Sequence, residues 1–336
     1  MKDAAGQKDR QIDPFIYGWI LIIWMSAINK KNRCKLQKLS AVALEVRQVK
    51  LKYTLTGFAD EISADLTEQI EGIKRLGMNH IEMRGVDGEN LIFHSDERIS
   101  EIRKKLKDAG ISLSALGSPL GKIRIEEPFA PHFEAFKRGV EIAHRMDTGF
   151  IRMFSFFVPE GRHEEFKGEV FDHIGRFVDY ASANDVILLH ENEKEIYGES
   201  AAECKALMES FYGDHFKAIF DFANFVQVKQ DTLEAYEELK DYVVYIHVKD
   251  ALTKDGSVVP AGYGDGHVAE ILKKLFENGF NGYLSIEPHL FDFVGFAGLE
   301  QKAVSIRSEG KEKLSGFEAF ALAHQSLMKI LEEIGS

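Results

Sequence analysis

The stretch Asp65–Arg84 reads DLTEQIEGIKRLGMNHIEMR, and the structural unit that it encodes recurs along the chain. Its apolar residues are spaced as on one face of an amphipathic helix: Leu66, Ile70, Ile73 and Leu76. Asp65 with Glu68 is typical of a helix N-terminus, and Gly77 stands where a left-handed glycine ends a helix. The short run His80–Arg84 that follows is typical of a β-strand.

The same plan of helix, turn and strand is repeated further on. A second helix is predicted after Ser95, Gly110 ends it, and the strand Ile111–Ala115 follows. Six more strands are predicted from short apolar runs: Tyr53–Gly57, Phe150–Phe154, Val186–Leu189, Ala218–Asp221, Val243–His247 and Tyr283–Ile286. Strands that alternate with helices pair in parallel. Eight such units in roughly 280 residues predict an α/β protein, a (β/α)₈ TIM barrel over residues 51–336.

An open, doubly wound sheet is the alternative architecture for alternating strands and helices. Such a sheet usually carries a glycine-rich phosphate loop after its first strand. The corresponding stretch here, Gly57–Glu61, reads GFADE and does not have that pattern. The closed barrel is therefore favoured.

Composition limits the classes of function. The chain of 336 residues has a formal net charge of -12. This charge argues against nucleic-acid binding, which depends on Lys and Arg side chains that neutralise phosphates. The two cysteines, Cys34 and Cys204, are too few for a disulfide framework. A reducing, cytoplasmic location is therefore expected.

The first 50 residues differ from the rest. They carry ten Lys or Arg against four Asp or Glu, and both tryptophans of the chain. Their apolar run Phe15–Ile28 would rise only about 21 Å as a helix, short of the roughly 30 Å hydrocarbon core of a membrane. A weak membrane anchor, a packed extension and a segment outside the barrel are the three interpretations. We favour the last, an N-terminal extension over residues 1–50 that is unstructured or separate from the barrel.

A long irregular stretch, Pro288–Leu314, follows the last predicted strand. It contains three aromatic residues: Phe291, Phe293 and Phe296. A loop of this length suggests a lid or a contact surface. A homo-oligomer is therefore one expectation.

Four consecutive strands end in side chains that can bind a metal ion: Glu191, Asp221, His247 and Glu287. The carboxyl ends of barrel strands meet at one face, where the active sites of TIM barrels lie. A single acid at a strand end is more often a helix cap or a salt-bridge partner, but three neighbouring carboxylates repel one another unless a cation compensates. Carboxylates with one imidazole suit Mn²⁺, Mg²⁺, Co²⁺ or Zn²⁺. One divalent metal ion is the expected cofactor.

Over about residues 53–335 the chain resembles the xylose isomerase-like barrels grouped as sugar phosphate isomerases and epimerases. The motifs that match are His190–Asn192 with Ile196–Gly198, Phe220–Phe225, Ile246–Asp250, Gly262–Gly264 and Leu284–Glu287. In that family a Glu, an Asp, a His and a Glu from the fifth to the eighth strands hold the metal. The resemblance implies that role for the four residues named above.

The resemblance also implies a reaction, in which a sugar-like substrate loses a proton to form an enediolate. Glu191 and Glu287 would remove and return the proton. The chain would then be a metal-dependent isomerase or epimerase of a small sugar, sugar acid or sugar phosphate. A dehydratase of an inosose-like substrate and a non-catalytic sugar-binding barrel remain alternatives. An endonuclease IV-type enzyme is disfavoured because it needs three zinc ions, more histidine ligands and a basic groove.

Three positions depart from the pattern of the ketohexose 3-epimerases. Where those enzymes have a His, an Arg and a second Glu, this chain has Asn224, Thr253 and Tyr197. These positions handle substrate in that subgroup, and Asn224 is the one retained here as a substrate-binding candidate. The departures argue against epimerisation of a free ketohexose at C3 and leave the metal ligands untouched.

Further candidates lie at or near strand ends. Arg84, Arg152 and Lys249 could hold a carboxylate or a phosphate of the substrate, or they could form ion pairs with acids on the barrel rim. His190 and His289 flank the metal ligands. They are either hydrogen-bonding supports of those ligands or exposed loop residues.

Overall fold

The computed structural model describes residues 51–290 and 314–336. The predicted N-terminal extension (residues 1–50) and the three phenylalanines of the predicted lid lie outside the described residues, so both stay predictions. Among the helices of the described ranges, none combines the length and the apolar character needed to cross a membrane.

Eight parallel strands form the barrel. In chain order they are β1 (Thr54–Gly57), β2 (His80–Met83), β3 (Ser112–Gly117), β4 (Phe150–Met153), β5 (Ile187–Glu191), β6 (Phe216–Asp221), β7 (Val243–Val248) and β8 (Tyr283–Ile286). From β2 to β8 each strand pairs with the next in sequence, and β8 pairs with β1. A single parallel bridge between Phe58 and Glu82 joins the remaining edges beside β1 and β2. The predicted TIM barrel is confirmed.

Helices alternate with these strands: α1 (Leu66–Arg75), α2 (Asp96–Ala109), α3 (Phe129–Arg145), α4 (His163–Ala183), α5 (Ala201–Phe211), α6 (Thr232–Leu239), α7 (Val268–Glu277) and α8 (Gly316–Gly335). A shorter helix, Phe222–Gln227, begins directly after β6. Two small antiparallel hairpins extend the loops at the ends of β2 and β7: Gly85–Val86 with Glu89–Asn90, and Asp250–Ala251 with Val258–Val259.

The helix signals in the sequence are present as local hydrogen bonds. Asp65 Oδ1 accepts the backbone N–H groups of Thr67 and Glu68 at 2.8 and 3.0 Å. Ser95 caps α2 in the same manner. Gly110 ends α2 with φ at 73°, a left-handed conformation that glycine adopts without strain. These predictions are confirmed.

Seven of the eight predicted strands differ from the observed strands by one or two residues at an end, as two examples show. The strand predicted over Ile111–Ala115 is Ser112–Gly117, and the strand predicted over Val186–Leu189 is Ile187–Glu191. Apolar patterning shows which residues are buried, but backbone pairing with the neighbouring strand decides where a ladder ends. Because β5 is longer than predicted, Glu191 belongs to the ladder and pairs with Ile219 of β6.

The inside of the barrel changes from apolar to polar along the strands. A buried apolar layer lies within it, formed by Ala115, Leu189, Ile219 and Tyr245. His247 and Lys249 follow Tyr245 at spacings of two and four, so they lie on the same face of the chain and point into the barrel mouth. The polar layer therefore lies at the carboxyl ends of the strands.

Candidate metal centre

Neighbouring strands carry the four predicted ligands in register. Glu191 and Asp221 are the last residues of β5 and β6, His247 is the penultimate residue of β7, and Glu287 directly follows β8. His247 pairs with Asp221 on one side and with Ser285 on the other. The parallel register therefore brings all four side chains to one mouth of the barrel.

The four ligands converge on a common point. One ligand atom from each lies within 4.8 Å of the others. His247 Nδ1 is 2.8 Å from Glu191 Oε1, 3.6 Å from Glu287 Oε2 and 4.0 Å from Asp221 Oδ2. Each of the four residues is at most 2% exposed. The predicted ligand set is thus assembled in a buried position.

This set of side chains fits a divalent cation. Asp221 Oδ2 is fully buried, yet no residue in the described ranges donates a well-formed hydrogen bond to it. Lys249 Nζ is its close ion-pair partner at 3.2 Å, but a buried carboxylate oxygen without a hydrogen bond still carries a cost in free energy. A cation bound to this oxygen would remove that cost. Three carboxylates and one imidazole are ligands that Mn²⁺, Mg²⁺, Co²⁺ and Zn²⁺ accept.

Protons compensate part of the negative charge in the metal-free site. Burial raises the pKa of Asp221 to about 7. Burial opposes protonation of His247, but Glu191 and Glu82 outweigh it and raise the pKa of His247 well above its ordinary value. Both residues therefore hold a proton more strongly than usual, at positions where a cation would replace it.

Two arginines contact the glutamate oxygens that face away from His247. Arg152 Nη1 lies 3.2 Å from Glu191 Oε2, and Arg84 Nη1 lies 3.2 Å from Glu287 Oε1. Burial would raise the pKa of both glutamates, but neighbouring cationic groups outweigh it. The pKa of Glu191 falls to about 2, and that of Glu287 lies well below its ordinary value. Both glutamates are therefore ionised at neutral pH.

Lys249 and Asn224 also reach the ligands. Lys249 Nζ lies 3.1 Å from Glu287 Oε2 and 3.2 Å from Asp221 Oδ2. Asn224 Nδ2 lies 3.4 Å from Glu191 Oε1. With the two arginines, all four predicted substrate-binding residues are buried around the metal ligands. The cations among them pair with the ligands themselves, and a role toward substrate stays a prediction.

A second group that could hold a cation adjoins the first and consists of Glu61, Glu287 and His289. The Arg84 guanidinium lies 3.3 Å from Glu61 Oε1 and 2.7 Å from Asp60 Oδ2. Burial raises the pKa of Glu61 to about 8, against the opposing effect of Arg84. A cationic side chain therefore already lies among these acids, and we interpret them as the support of Arg84.

The two histidines that flank ligands are both buried, so the alternative of exposed loop residues is wrong. His190 Nε2 lies 3.0 Å from Ser155 Oγ. His289 Nε2 lies 3.3 Å from Glu287 Oε1, and the backbone N–H of His289 donates to Glu61 Oε2 at 2.7 Å. Of the two, His289 is the one in contact with a predicted ligand, Glu287.

Further residues of the site were not predicted from the sequence, among them Glu82 and Phe58. Glu82 is fully buried and its Oε2 lies 3.2 Å from His247 Nε2. The ring of Phe58 lies against the guanidinium groups of Arg84 and Arg152, at 4.6 and 4.9 Å. A signal for Glu82 existed, because a charged residue within an apolar strand and two positions before Arg84 lies on the same face of an extended chain. Nothing in the local sequence marks Phe58.

The fold and this site define a class of protein, the (β/α)₈ barrels whose strand ends gather three carboxylates and an imidazole. The chain belongs to the xylose isomerase-like TIM barrel family, which matches it over residues 70–303. The resemblance inferred from the motifs is confirmed.

Several solved structures have a similar fold. One is a xylose isomerase-like TIM barrel protein from Mycobacterium smegmatis in complex with magnesium, with 15% identity, a TM-score of 0.58, and coverage of 86% of this chain and 99% of that chain. Another is 3-keto-D-glucoside 4-epimerase from E. coli, with 16% identity, a TM-score of 0.59, and coverage of 84% and 100%.

A third is the probable 3-DHS dehydratase of petrobactin synthesis from Bacillus anthracis, with 16% identity, a TM-score of 0.60, and coverage of 83% and 99%. Identities this low support the fold alone. The comparison with curated proteins gave no match.

Proposed function

We propose that this protein is a divalent-metal-dependent isomerase or epimerase that acts on a small sugar, sugar acid or sugar phosphate. The observation that carries the proposal is the position of Glu191 and Glu287, whose carboxylates both lie within 3.6 Å of His247 Nδ1 in one buried group of possible metal ligands. Membership of the family and the epimerases among proteins of similar fold support the same class of reaction.

The residues that would hold the ion are Glu191, Asp221, His247 and Glu287. A divalent cation bound there would polarise a substrate carbonyl and stabilise the negative charge of an enediolate. One protein of similar fold is in complex with magnesium, which supports a hard cation here.

Both glutamates are ionised at neutral pH, which is the form that can accept a proton from a substrate carbon. Glu191 Oε2 and Glu287 Oε1 are turned away from His247 and are the oxygens that can take a proton from a substrate carbon. Arg152 and Arg84 lie 3.2 Å from these oxygens. A substrate that approaches either glutamate would therefore meet a guanidinium group that can donate a hydrogen bond to one of its oxygens.

Lys249 is the third cation of the site. Burial opposes its charge, but Asp221 and Glu287 outweigh burial and raise the pKa of Lys249 well above its ordinary value. It therefore stays protonated at neutral pH. We assign it to hydrogen bonding with a substrate oxygen on which negative charge develops.

Exchange of substrate hydrogen with solvent tests the proposal. The Mn²⁺-loaded protein would be incubated in D₂O with a panel of ketoses, keto-polyols, sugar acids and sugar phosphates, and the products followed by NMR and mass spectrometry. Deuterium incorporation with retention of the substrate formula is expected. Glu191→Gln and Glu287→Gln should each slow it about 100-fold or more, whereas Glu97→Gln, on the exposed surface of α2, should not.

Two other results would indicate a different function. Loss of one water from the product would identify a dehydratase, since removal of a proton beside a carbonyl can expel a neighbouring hydroxyl. A protein that binds Mn²⁺ and sugars but exchanges no hydrogen with any member of the panel would contradict catalysis and favour a sugar-binding barrel.

A further inference from the structure

We propose that Glu82 is a positioning residue of the metal centre, which orients His247 so that Nδ1 faces the ion. The inference rests on the metal site of the proposed function. It extends that function by giving a residue on the opposite side of the barrel a role in metal affinity. It does not depend on which sugar is the substrate.

The two nitrogens of the His247 ring face opposite groups. Nε2 lies 3.2 Å from Glu82 Oε2 and 3.3 Å from Glu82 Oε1. Nδ1 faces the ligands, 2.8 Å from Glu191 Oε1. A histidine that donates one N–H to a carboxylate presents its other nitrogen to a metal in a fixed direction. Glu82, His247 and the predicted metal site therefore lie in series.

Glu82 is itself held in place. Ser285 Oγ donates a hydrogen bond to Glu82 Oε2 at 2.6 Å. Ser285 pairs in register with His247 across β8 and β7. β7 therefore carries the predicted ligand His247, and β8 carries Ser285, which holds Glu82. The side chains of Glu82, Ser285 and His247 are all fully buried.

A column of hydroxyl groups continues from this point into the barrel. Tyr245, two residues before His247, has its hydroxyl 2.9 Å from Ser114 Oγ. Ser114 Oγ lies 2.7 Å from Thr56 Oγ1 and donates to the carbonyl of Ile81 at 3.1 Å. These polar groups provide one another's hydrogen-bond partners beneath the predicted metal centre. Thr56 is the member of the column furthest from His247.

A structural role alone does not account for Glu82. Burial of a carboxylate is unfavourable unless partners compensate it, and a neutral side chain of the same size would fill the space as well. The compensating partners of Glu82 include the hydroxyl groups of Ser285 and Tyr245, and the ring N–H of His247 is the one of them that can carry a positive charge. The carboxylate is therefore explained by the imidazole that it orients.

Metal affinity of the full chain tests the proposal. Equilibrium dialysis against Mn²⁺ should show that Glu82→Gln weakens binding about 10- to 100-fold, the range for loss of such a support. Glu82→Asp keeps the charge but shortens the side chain, and it should fall between wild type and Glu82→Gln. Thr56→Val, in the same column, should bind Mn²⁺ as wild type does.

A second measurement separates positioning from loss of packing. In the Mg²⁺-loaded protein, the Nε2–H proton of His247 should resonate far downfield because it donates to a carboxylate, and Glu82→Gln should remove this shift. Wild-type Mn²⁺ affinity in both Glu82 variants, or the absence of the downfield proton in wild type, would overturn the inference and leave the proposed function standing. A wild-type protein that binds no metal would overturn both.

Discussion

The ammonium nitrogen of Lys249 lies 3.1 Å from Glu287 Oε2, within the group of side chains that would hold the metal. Its other close acid is Asp221, at 3.2 Å. The protein therefore carries a cation of its own among the metal ligands. This cation stabilises the metal-free site and competes with an incoming ion for the same two carboxylates.

Replacement of Lys249 by Met should tighten metal binding and destabilise the metal-free protein. Without the ammonium group, Asp221 loses its closest ion pair and Glu287 keeps the one with Arg84, so the two carboxylates are less well compensated until a metal binds. If the Kd of the variant for Mn²⁺ is tenfold lower, saturating Mn²⁺ should raise its free energy of unfolding by about 1.4 kcal/mol more than it raises that of wild type. Thermal unfolding with and without Mn²⁺ measures the difference.

The control for this variant is Lys104→Met, whose side chain is 76% exposed on α2. It should respond to Mn²⁺ as wild type does. If Mn²⁺ raises the Tm of Lys249→Met less than that of wild type, Lys249 helps the ion to bind and the competition is refuted.

Asp221→Asn should abolish metal binding without loss of the fold. Asp221 Oδ1 accepts the backbone N–H of Asn224 at 2.9 Å and caps the helix Phe222–Gln227. Asn caps helices as well as Asp does, so the variant removes the charge and keeps the cap. Metal analysis after dialysis against Mn²⁺ should find the site empty in this variant, while its metal-free Tm should not fall below that of wild type.

Asp221→Ala separates the two roles. It removes the charge and the cap together, so its metal-free form should be about 1 kcal/mol less stable than Asp221→Asn. Retention of stoichiometric Mn²⁺ in either variant would show that Asp221 is not a ligand.

The stability of the protein should fall between pH 6.5 and pH 4 in part because of His132. This residue accepts the backbone N–H of Gly121 at Nε2, at 2.7 Å, and burial lowers the pKa of His132 to about 4. In this window the unfolded chain binds a proton at His132 and the folded protein does not. Stability is therefore complete above pH 6.5 and decreases as the pH falls, by up to about 3 kcal/mol from this group.

Urea unfolding at several pH values measures the effect. His132→Gln keeps an acceptor and removes the titration, so it should lose less stability between pH 6.5 and pH 4 than wild type. His144→Gln, an exposed position on α3, should follow wild type. The same acid sensitivity in wild type and His132→Gln would exclude this origin.

Replacement of two glycines by alanine should change the free energy of unfolding in opposite directions. The backbone N–H of Gly264 donates to Asp250 Oδ2 at 3.0 Å, and a Cβ at Gly264 would overlap Asp250 Oδ1. Gly168 lies on the exposed side of α4, with nothing within 4 Å of the Cβ position. Gly264→Ala should destabilise the protein by about 1–3 kcal/mol, and Gly168→Ala should stabilise it by about 0.5–1 kcal/mol.

Chemical unfolding of the two glycine variants and wild type gives both values. Each variant serves as the control of the other, because the residue change is the same and the surroundings differ. A neutral Gly264→Ala would show that the loop moves away from Asp250 at little cost.

Much of the site could be predicted from the sequence because its parts are local. Glu191, Asp221 and His247 each lie within or at the end of an apolar strand, and the rule that barrel strands end at one face brings them together without knowledge of any contact. Strand boundaries were less certain, as at Glu191, because pairing with the neighbouring strand decides where a ladder ends.

The amino-acid sequence by itself determined the alternation of strands and helices, the helix caps and the candidates for metal binding. Only the tertiary structure decided which groups support them. Glu82 and His247 are 165 positions apart, and Arg84 and Glu287 are 203 apart. These contacts exist because β1 pairs with β8 and the sheet closes, which brings β2 across from β7. Closure is a property of the whole sheet, and no local pattern of residues records it.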